Sequence, residues 1–213
     1  MAAVTVIVPL AADEDAWREL LPRLPLPADW ELLLAAAAPP PADWQNAPPR
    51  RWIHCPRRGR GAQMNAAAAA ADGELLWFVH ADSRPPANFA SALSRAAAAA
   101  PRAVYYFDLH FYDGGARMIL NEWGARLRCA LFGNPFGDQA LSLRRDLFWE
   151  LGGYPEDAAA GEDHLFVLRA ARAGARARRV GAAVGTSART YLRRGWWRTV
   201  REYQKIWWRQ WRG

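Results

Sequence analysis

The sequence predicts an α/β protein with a mostly parallel central sheet flanked by helices and a C-terminal amphipathic helix. Strand-like and helix-like segments alternate from the start of the chain. The run from Leu75 to His80 is almost entirely apolar, as expected of a parallel strand covered by helices on both faces. Residues 195–212 have a strongly two-sided helical pattern. Ligands of such sheets bind at the carboxyl ends of the strands.

Each element follows from a local pattern. Val4 to Pro9 is a β-branched run, and Asp13 to Leu24 begins with acidic residues and continues with apolar residues at helical spacing. Further strands are expected at 30–34, 51–55, 75–80, 104–109, 139–143 and 177–184. Further helices are expected at 61–71, 86–100, 115–131 and 162–173, with a helical turn at 146–151. One domain over 1–194 and a separate helix over 195–213 therefore account for the chain.

Charge divides the chain into an acidic body and a basic tail. The 213 residues carry a formal net charge of +7, yet residues 167–213 contain 13 basic residues and one acidic residue. This asymmetry suits an anionic partner, whether nucleic acid, a membrane surface or a phosphate-rich substrate. No apolar run approaches the roughly 18 residues of a membrane span. The first residues lack the basic region of a signal peptide, so we expect a cytoplasmic protein.

Three short segments carry residues suited to chemistry. His80-Ala81-Asp82 ends the most apolar strand, where Asp82 can ligate a hard divalent cation or simply cap the next helix. The segment 59–65 can bind an anion at a helix N-terminus or form an exposed loop. Glu162 and Asp163 open a helix, where a carboxylate can act as a general base or compensate the helix dipole. Taken singly, each segment leaves both interpretations open.

The order of the segments resembles a known family. Val4 to Pro9, Arg60 to Asn65, Leu76 to Asp82, Phe136 to Gln139, Leu151 to Pro155 and Gly161 to Asp163 follow one another as in family 2 inverting glycosyltransferases of the A-type nucleotide-sugar fold. The chain is similar, more narrowly, to the short bacterial branch named for arsenosugar-biosynthesis-type glycosyltransferases. That branch shares the G-R-G-x-Q-M-N, H-A-D and G-D-Q blocks. The resemblance covers about residues 4–195.

The resemblance implies a donor half at about 1–110 and an acceptor half at about 111–194. It implies a nucleotide-sugar donor, hexosyl transfer with inversion, and Mn²⁺ or Mg²⁺ on Asp82. Asp163 corresponds to the general base of the E-D motif, whose other acid is Glu162. The resemblance places the donor side at Pro9, Asp13, Arg60, Gln63 and His80, and sugar or acceptor contacts at Asp138 and Gln139.

The chain departs from the family pattern at three positions. His80 stands where a ribose-binding carboxylate is usual, and Ala12-Asp13 replaces the usual N-E pair. After the second strand, residues 34–41 are Leu, Ala and Pro where the family has an acidic, base-reading motif. The alternative is therefore a catalytically silent homologue that binds a membrane or a protein partner.

The last helix has a Trp-rich side and a basic side. Trp196, Val200, Tyr203, Trp207 and Trp211 fall on one stripe, and the opposite side holds arginine and lysine. This stripe suits the interface of an anionic membrane, packing on the domain or a partner subunit, or nucleic acid. The membrane interpretation predicts peripheral association with the inner face of the cell membrane and a lipid-linked acceptor. Nucleic acid is disfavoured because no recognition motif accompanies the basic residues.

Overall fold

A computed structural model describes residues 3–57, 59–158 and 160–212. Within them, seven strands form one sheet: β1 (Val4–Leu10), β2 (Trp30–Ala36), β3 (Arg50–His54), β4 (Leu75–Phe78), β5 (Val104–Phe111), β6 (Ser142–Arg144) and β7 (Ala177–Thr186). The helices are α1 (Trp17–Leu20), α2 (Arg60–Ala69), α3 (Phe89–Ala99), α4 (Arg117–Phe132), α5 (Arg145–Glu150), α6 (Glu162–Arg172), α7 (Arg189–Arg194) and α8 (Trp196–Arg212).

The sheet is mostly parallel, as predicted. Its strand order is β3-β2-β1-β4-β6-β5-β7, and β6 runs antiparallel to β4 and β5. The chain moves outward from β1 to β3 and then returns to place β4 on the other side of β1. This reversal creates a crevice at the carboxyl ends of β1 and β4, the usual position of a ligand in such sheets.

Two apolar layers cover the two faces of the sheet. Trp77 stacks on Phe89 of α3 with ring centroids 5.2 Å apart, on one face. Phe78, the next residue of β4, packs on Phe148 on the other face, with centroids 5.4 Å apart. Both faces of β4 are therefore buried, which explains its continuous apolar sequence.

The prediction was wrong in two details of the helices. The first helix is a short α1 followed by a 3₁₀ turn at 21–23 rather than one helix from Asp13 to Leu24, since Pro22 and Pro25 interrupt the pattern. The helix α7 was missed because its sequence, RTYLRR, has too few apolar residues to show a period.

The C-terminal helix α8 packs on the domain. Trp207 is buried and lies against Phe132 at the end of α4, with ring centroids 5.5 Å apart. Gln210 reaches Ala160 and His164. The domain thus buries Trp207 and partly covers Trp196 and Val200 of the predicted stripe. The other two residues of the stripe, Tyr203 and Trp211, are exposed, as are Trp197 and Trp208 beside it. No helix of the described residues is both long and apolar enough to cross a membrane.

Candidate active site

A cleft lies at the carboxyl end of β1, beside the N-terminus of α2. Its volume is about 690 Å³, and it is lined by Pro9, Ala11, Ala12, Ala37, Ala38, Pro56, Gly59, Arg60 and Gln63. Gln63 fixes the β1 end, because its Nε2 donates to the carbonyl oxygen of Leu10 at 2.8 Å. Among the described residues, the lining contains no carboxylate. The cleft brings together three of the predicted donor-side residues, Pro9, Arg60 and Gln63.

Asp163 lies at the start of α6, where backbone groups hold its carboxylate. Its Oδ2 accepts a hydrogen bond from the Gly137 N–H, and its Oδ1 accepts one from the His164 N–H at 2.9 Å. Burial alone would raise the pKa of Asp163, but the charge of Arg60 and these backbone hydrogen bonds lower it below the usual value. Asp163 is therefore ionised at neutral pH although the residue is only 9% exposed.

Arg60 lines the cleft and its charge acts on Asp163. Its guanidinium forms an ion pair with buried Glu162, and its Nη1 lies 3.2 Å from Nε2 of His80. Burial, together with the charge of Arg60, lowers the pKa of His80 to about 3, so this imidazole is neutral. A neutral His80 can accept a hydrogen bond from Arg60. The role of Glu162 is thus to position Arg60, not to contact a reacting atom.

The loop from Gly152 to Pro155 holds α2 in place beside α6. Asn65 Nδ2 donates to the Tyr154 carbonyl oxygen, and Asn65 Oδ1 accepts from the Tyr154 N–H, both at 2.9 Å. A Cβ on Gly61 would lie 2.8 Å from the Pro155 carbonyl oxygen. This close approach requires glycine at position 61 and brings Arg60 to Glu162.

Asp82 lines a second pocket, after the carboxyl end of β4, with a volume of about 150 Å³. Its Oδ2 is 3.2 Å from Nε of Arg189, which also pairs with Glu14 at 2.6 Å. Burial raises the pKa of Asp82 above its usual value, an effect that the charge of Arg189 partly offsets. A nearby cation therefore favours the ionised form of Asp82.

The turn after α4 places Asp138 within range of the charges of Arg128, Asp163, Arg60 and Asp82. Burial raises the pKa of Asp138 to about 6, and its Oδ1 is buried without a hydrogen-bond partner in the described part of the chain. The neighbouring Gln139 is buried and bonded to Phe107, Phe136 and Arg128. Asp138 therefore keeps an unpaired carboxylate oxygen, whereas Gln139 holds the turn.

The residues fit a divalent cation only in part. The described residues contain no group of three or more His, Cys, Asp or Glu side chains placed to hold a metal ion. A cation such as Mg²⁺, however, often takes one or two carboxylates and fills its other positions with phosphate oxygens and water. Asp82 can supply one such carboxylate when Arg189 moves away from it.

The sequence analysis identified most of the residues described above but missed two of them, Glu14 and Arg189. Asp13 is exposed between β1 and α1 and lines neither pocket, while its neighbour Glu14 contacts Arg189. Arg189 lies in the unpredicted helix α7, at the end of β7. The expectation that ligands bind at the carboxyl ends of parallel strands was the signal that could have found it.

Comparison with known proteins identifies the family. Residues 33–152, more than half of the chain, match the family described as Glycosyl transferase family 2. The chain belongs to this family. The match includes the cleft residues Arg60 and Gln63 as well as His80, Asp82 and Asp138. No curated protein sequence matches the chain significantly.

Solved structures share the fold of this family 2 chain. TarS 1–349 of S. aureus superposes with a TM-score of 0.67 at 18% identity, over 87% of this chain and 60% of that one. The mannosyltransferase PcManGT from Pyrobaculum calidifontis, in complex with GDP-Man and Mn²⁺, has a TM-score of 0.64 at 22% identity over 86% and 56%. TarS 1–349 in complex with UDP-GlcNAc has a TM-score of 0.64 at 17% identity over 87% and 58%. The chain thus spans under two thirds of these proteins.

Proposed function

We propose that the protein transfers a hexosyl group from a nucleoside-diphosphate sugar to an acceptor hydroxyl, with inversion and with help from a divalent cation. Family membership supports sugar transfer in general. The observation that carries the finer proposal is Asp163, a buried carboxylate that stays ionised, is held by two backbone N–H groups and lies close enough to Arg60 of the cleft for that charge to lower its pKa.

Asp163 acts as the general base in this proposal. It takes the proton of the acceptor hydroxyl while that oxygen bonds to the anomeric carbon from the face opposite the leaving group. The bond between the anomeric carbon and the diphosphate oxygen breaks, and its electron pair leaves with the nucleoside diphosphate. A single displacement of this kind inverts the anomeric configuration.

The donor binds in the cleft beside α2. Arg60 lies at a helix N-terminus, where both the guanidinium and the helix favour the negative diphosphate. Asp82 would hold Mn²⁺ or Mg²⁺, and a bound cation supplies Lewis-acid stabilisation of the departing diphosphate. The proposal requires Arg189 to exchange Asp82 for phosphate oxygens. The structure of PcManGT in complex with GDP-Man and Mn²⁺ supports a metal by analogy of fold.

The narrower assignment rests on three sequence blocks. Gly59 to Asn65, His80 to Asp82 and Gly137 to Gln139 support membership of the arsenosugar-biosynthesis-type branch. In the structure, Arg60, His80 and Gly137 from these blocks surround Asp163. We propose that Asp138 contacts the acceptor or the sugar. A lipid-linked acceptor remains a prediction from the sequence.

Calorimetric titration tests the donor site. UDP and GDP are each titrated into the purified protein with Mn²⁺ and with EDTA. We expect one nucleotide to bind, with an affinity at least tenfold higher in Mn²⁺, and Asp82→Asn to remove this difference. Asp72→Asn, at an exposed carboxylate after α2, is the control. No binding of either nucleotide would instead support the catalytically silent homologue.

A further inference from the structure

The outward side of α4 is apolar and uncovered. Five large apolar side chains of this helix are each more than half exposed: Ile119, Leu120, Trp123, Leu127 and Leu131. At 100° per residue, Leu120, Leu127 and Leu131 point away from the buried side marked by Met118 and Cys129. None of the described residues covers this side. Contiguous apolar surface of this kind marks an interaction site.

Helix α8 extends the apolar surface of α4. Trp196 Nε1 donates to Asn121 Oδ1 at 3.1 Å near the start of both helices, and Phe132 packs on Trp207 near their ends. Asn121 and Phe132 are eleven residues apart in α4, and their partners Trp196 and Trp207 are eleven residues apart in α8. The two helices therefore run side by side in the same direction. The α4–α8 surface, as we define it, comprises Ile119, Leu120, Trp123, Leu127 and Leu131 together with Trp197 and Trp208, which are 71% and 51% exposed.

The rim of this surface is cationic. Arg117 and Arg126 flank the apolar side of α4, and five basic residues lie along α8: Arg198, Arg201, Lys205, Arg209 and Arg212. The acid of α4, Glu122, turns inward to the backbone N–H of Phe111. The acid of α8, Glu202, is paired with Arg198 at 3.1 Å. The available charge around the apolar side chains is therefore positive.

We propose that the α4–α8 surface binds an anionic lipid bilayer. Trp and Leu side chains enter the headgroup boundary, and the surrounding arginines contact lipid phosphates and acidic headgroups. The sequence pattern predicts such a contact through the α8 stripe, of which Trp207 is buried against the domain while Tyr203 and Trp211 are exposed. A second copy fits this surface poorly, because pairing two such surfaces brings two cationic rims together.

The surface adjoins the acceptor side of the site. Helix α4 ends at Phe132 and leads directly into the turn with Asp138, and Gln210 of α8 bonds to His164, next to Asp163. If the proposed transfer function holds, docking on lipid brings the general base close to the headgroup layer. Lipid binding itself needs no donor, no acceptor and no catalysis, so it can be measured separately.

Vesicle flotation of the full chain tests the proposal. One set of vesicles contains phosphatidylcholine alone. The other set contains phosphatidylcholine with about 30% of the anionic lipid phosphatidylglycerol. The test variant is Leu120→Ser/Leu127→Ser/Leu131→Ser. The matched control is Trp149→Ser, which removes an exposed apolar side chain from α5. This helix lies at the amino end of β4, where the backbone N–H of its first residue donates to the Glu74 carbonyl oxygen. Circular dichroism verifies folding of both variants, whose altered side chains are exposed.

We expect wild type and Trp149→Ser to float with the anionic vesicles and the triple variant to partition at least tenfold less. We also expect Arg117→Glu/Arg126→Glu to lose selectivity for anionic over neutral vesicles. Failure of wild type to float with anionic vesicles, or equal flotation of the triple variant, would overturn the proposal. So would a dimer in sedimentation analysis that the triple variant abolishes, since the surface would then belong to a second copy.

Discussion

Nε of Arg189 lies 3.2 Å from Oδ2 of Asp82, so the carboxylate that we propose as the metal ligand is engaged by a guanidinium. The same arginine pairs with Glu14. A cation bound to Asp82 would lie close to the guanidinium of Arg189, and the two positive charges would repel each other. Competition between them is a direct consequence of the geometry.

We therefore expect Arg189→Gln to bind Mn²⁺ more tightly than wild type in the absence of nucleotide. Loss of the competing charge gives roughly a tenfold gain, equivalent to about 1.4 kcal/mol. Electron paramagnetic resonance of free Mn²⁺ measures this directly. Arg193→Gln, at an exposed position of the same helix, is the control. Equal Mn²⁺ affinity of Arg189→Gln and wild type would mean that Asp82 is not the metal ligand.

Gly137 leaves space for the carboxylate of Asp163. A Cβ at position 137 would lie 2.7 Å from Asp163 Oδ2 and 3.2 Å from His80 Nε2. We expect Gly137→Ala to lower the transfer rate by about 10- to 100-fold, because a displacement of a fraction of an ångström misaligns the base. The readout is release of nucleoside diphosphate from the donor.

Gly124→Ala is the matched control for that substitution. Its Cβ would meet nothing within 4 Å, and alanine favours the helix by about 0.5–1 kcal/mol. A transfer rate of Gly137→Ala equal to that of Gly124→Ala would contradict the role given to the Gly137–Asp163 contact.

Asp138 makes stability depend on pH. Its pKa is raised to about 6 by burial, so the folded state binds this proton more tightly than the unfolded state, whose pKa is near 3.9. Because the unfolded chain releases this proton first, the cost in stability develops between about pH 4 and pH 6 and is complete above pH 6. At pH 7.5 it is about 3 kcal/mol, of which about 1 kcal/mol is already present at pH 4.5.

We expect Asp138→Asn to lack this cost. The unfolding free energy of the variant should therefore increase relative to that of wild type between pH 4.5 and pH 7.5. Urea denaturation at the two pH values measures the change. Asp157→Asn, in an exposed turn, is the control. The same difference between Asp138→Asn and wild type at both pH values would be inconsistent with a raised pKa of Asp138 in the folded protein.

The sequence predicted the sheet well because its strands carry a strong local signal. Leu75–Phe78 and Val4–Leu10 are apolar runs that no exposed element would have. The order of the motifs likewise brought Arg60, His80 and Asp163 into one site. These residues are far apart in the chain, and only the family resemblance linked them before the structure did.

Contacts between distant side chains could not be predicted in the same way. Arg189 lies in a short polar helix, and its pairing with Asp82 depends on how β7 ends relative to β4. The exposed side of α4 was also missed. Periodicity shows that a helix has an apolar side, but it does not show which element covers that side or whether any element does.

The central claim is that Asp163 takes a proton from the acceptor. The most direct measurement compares transfer by Asp163→Asn and wild type, with the donor nucleotide's affinity measured in parallel and Asp157→Asn as the control. We predict that Asp163→Asn loses activity by about 10²- to 10⁴-fold while nucleotide affinity stays within about twofold of wild type. Transfer by Asp163→Asn at the wild-type rate would contradict the account.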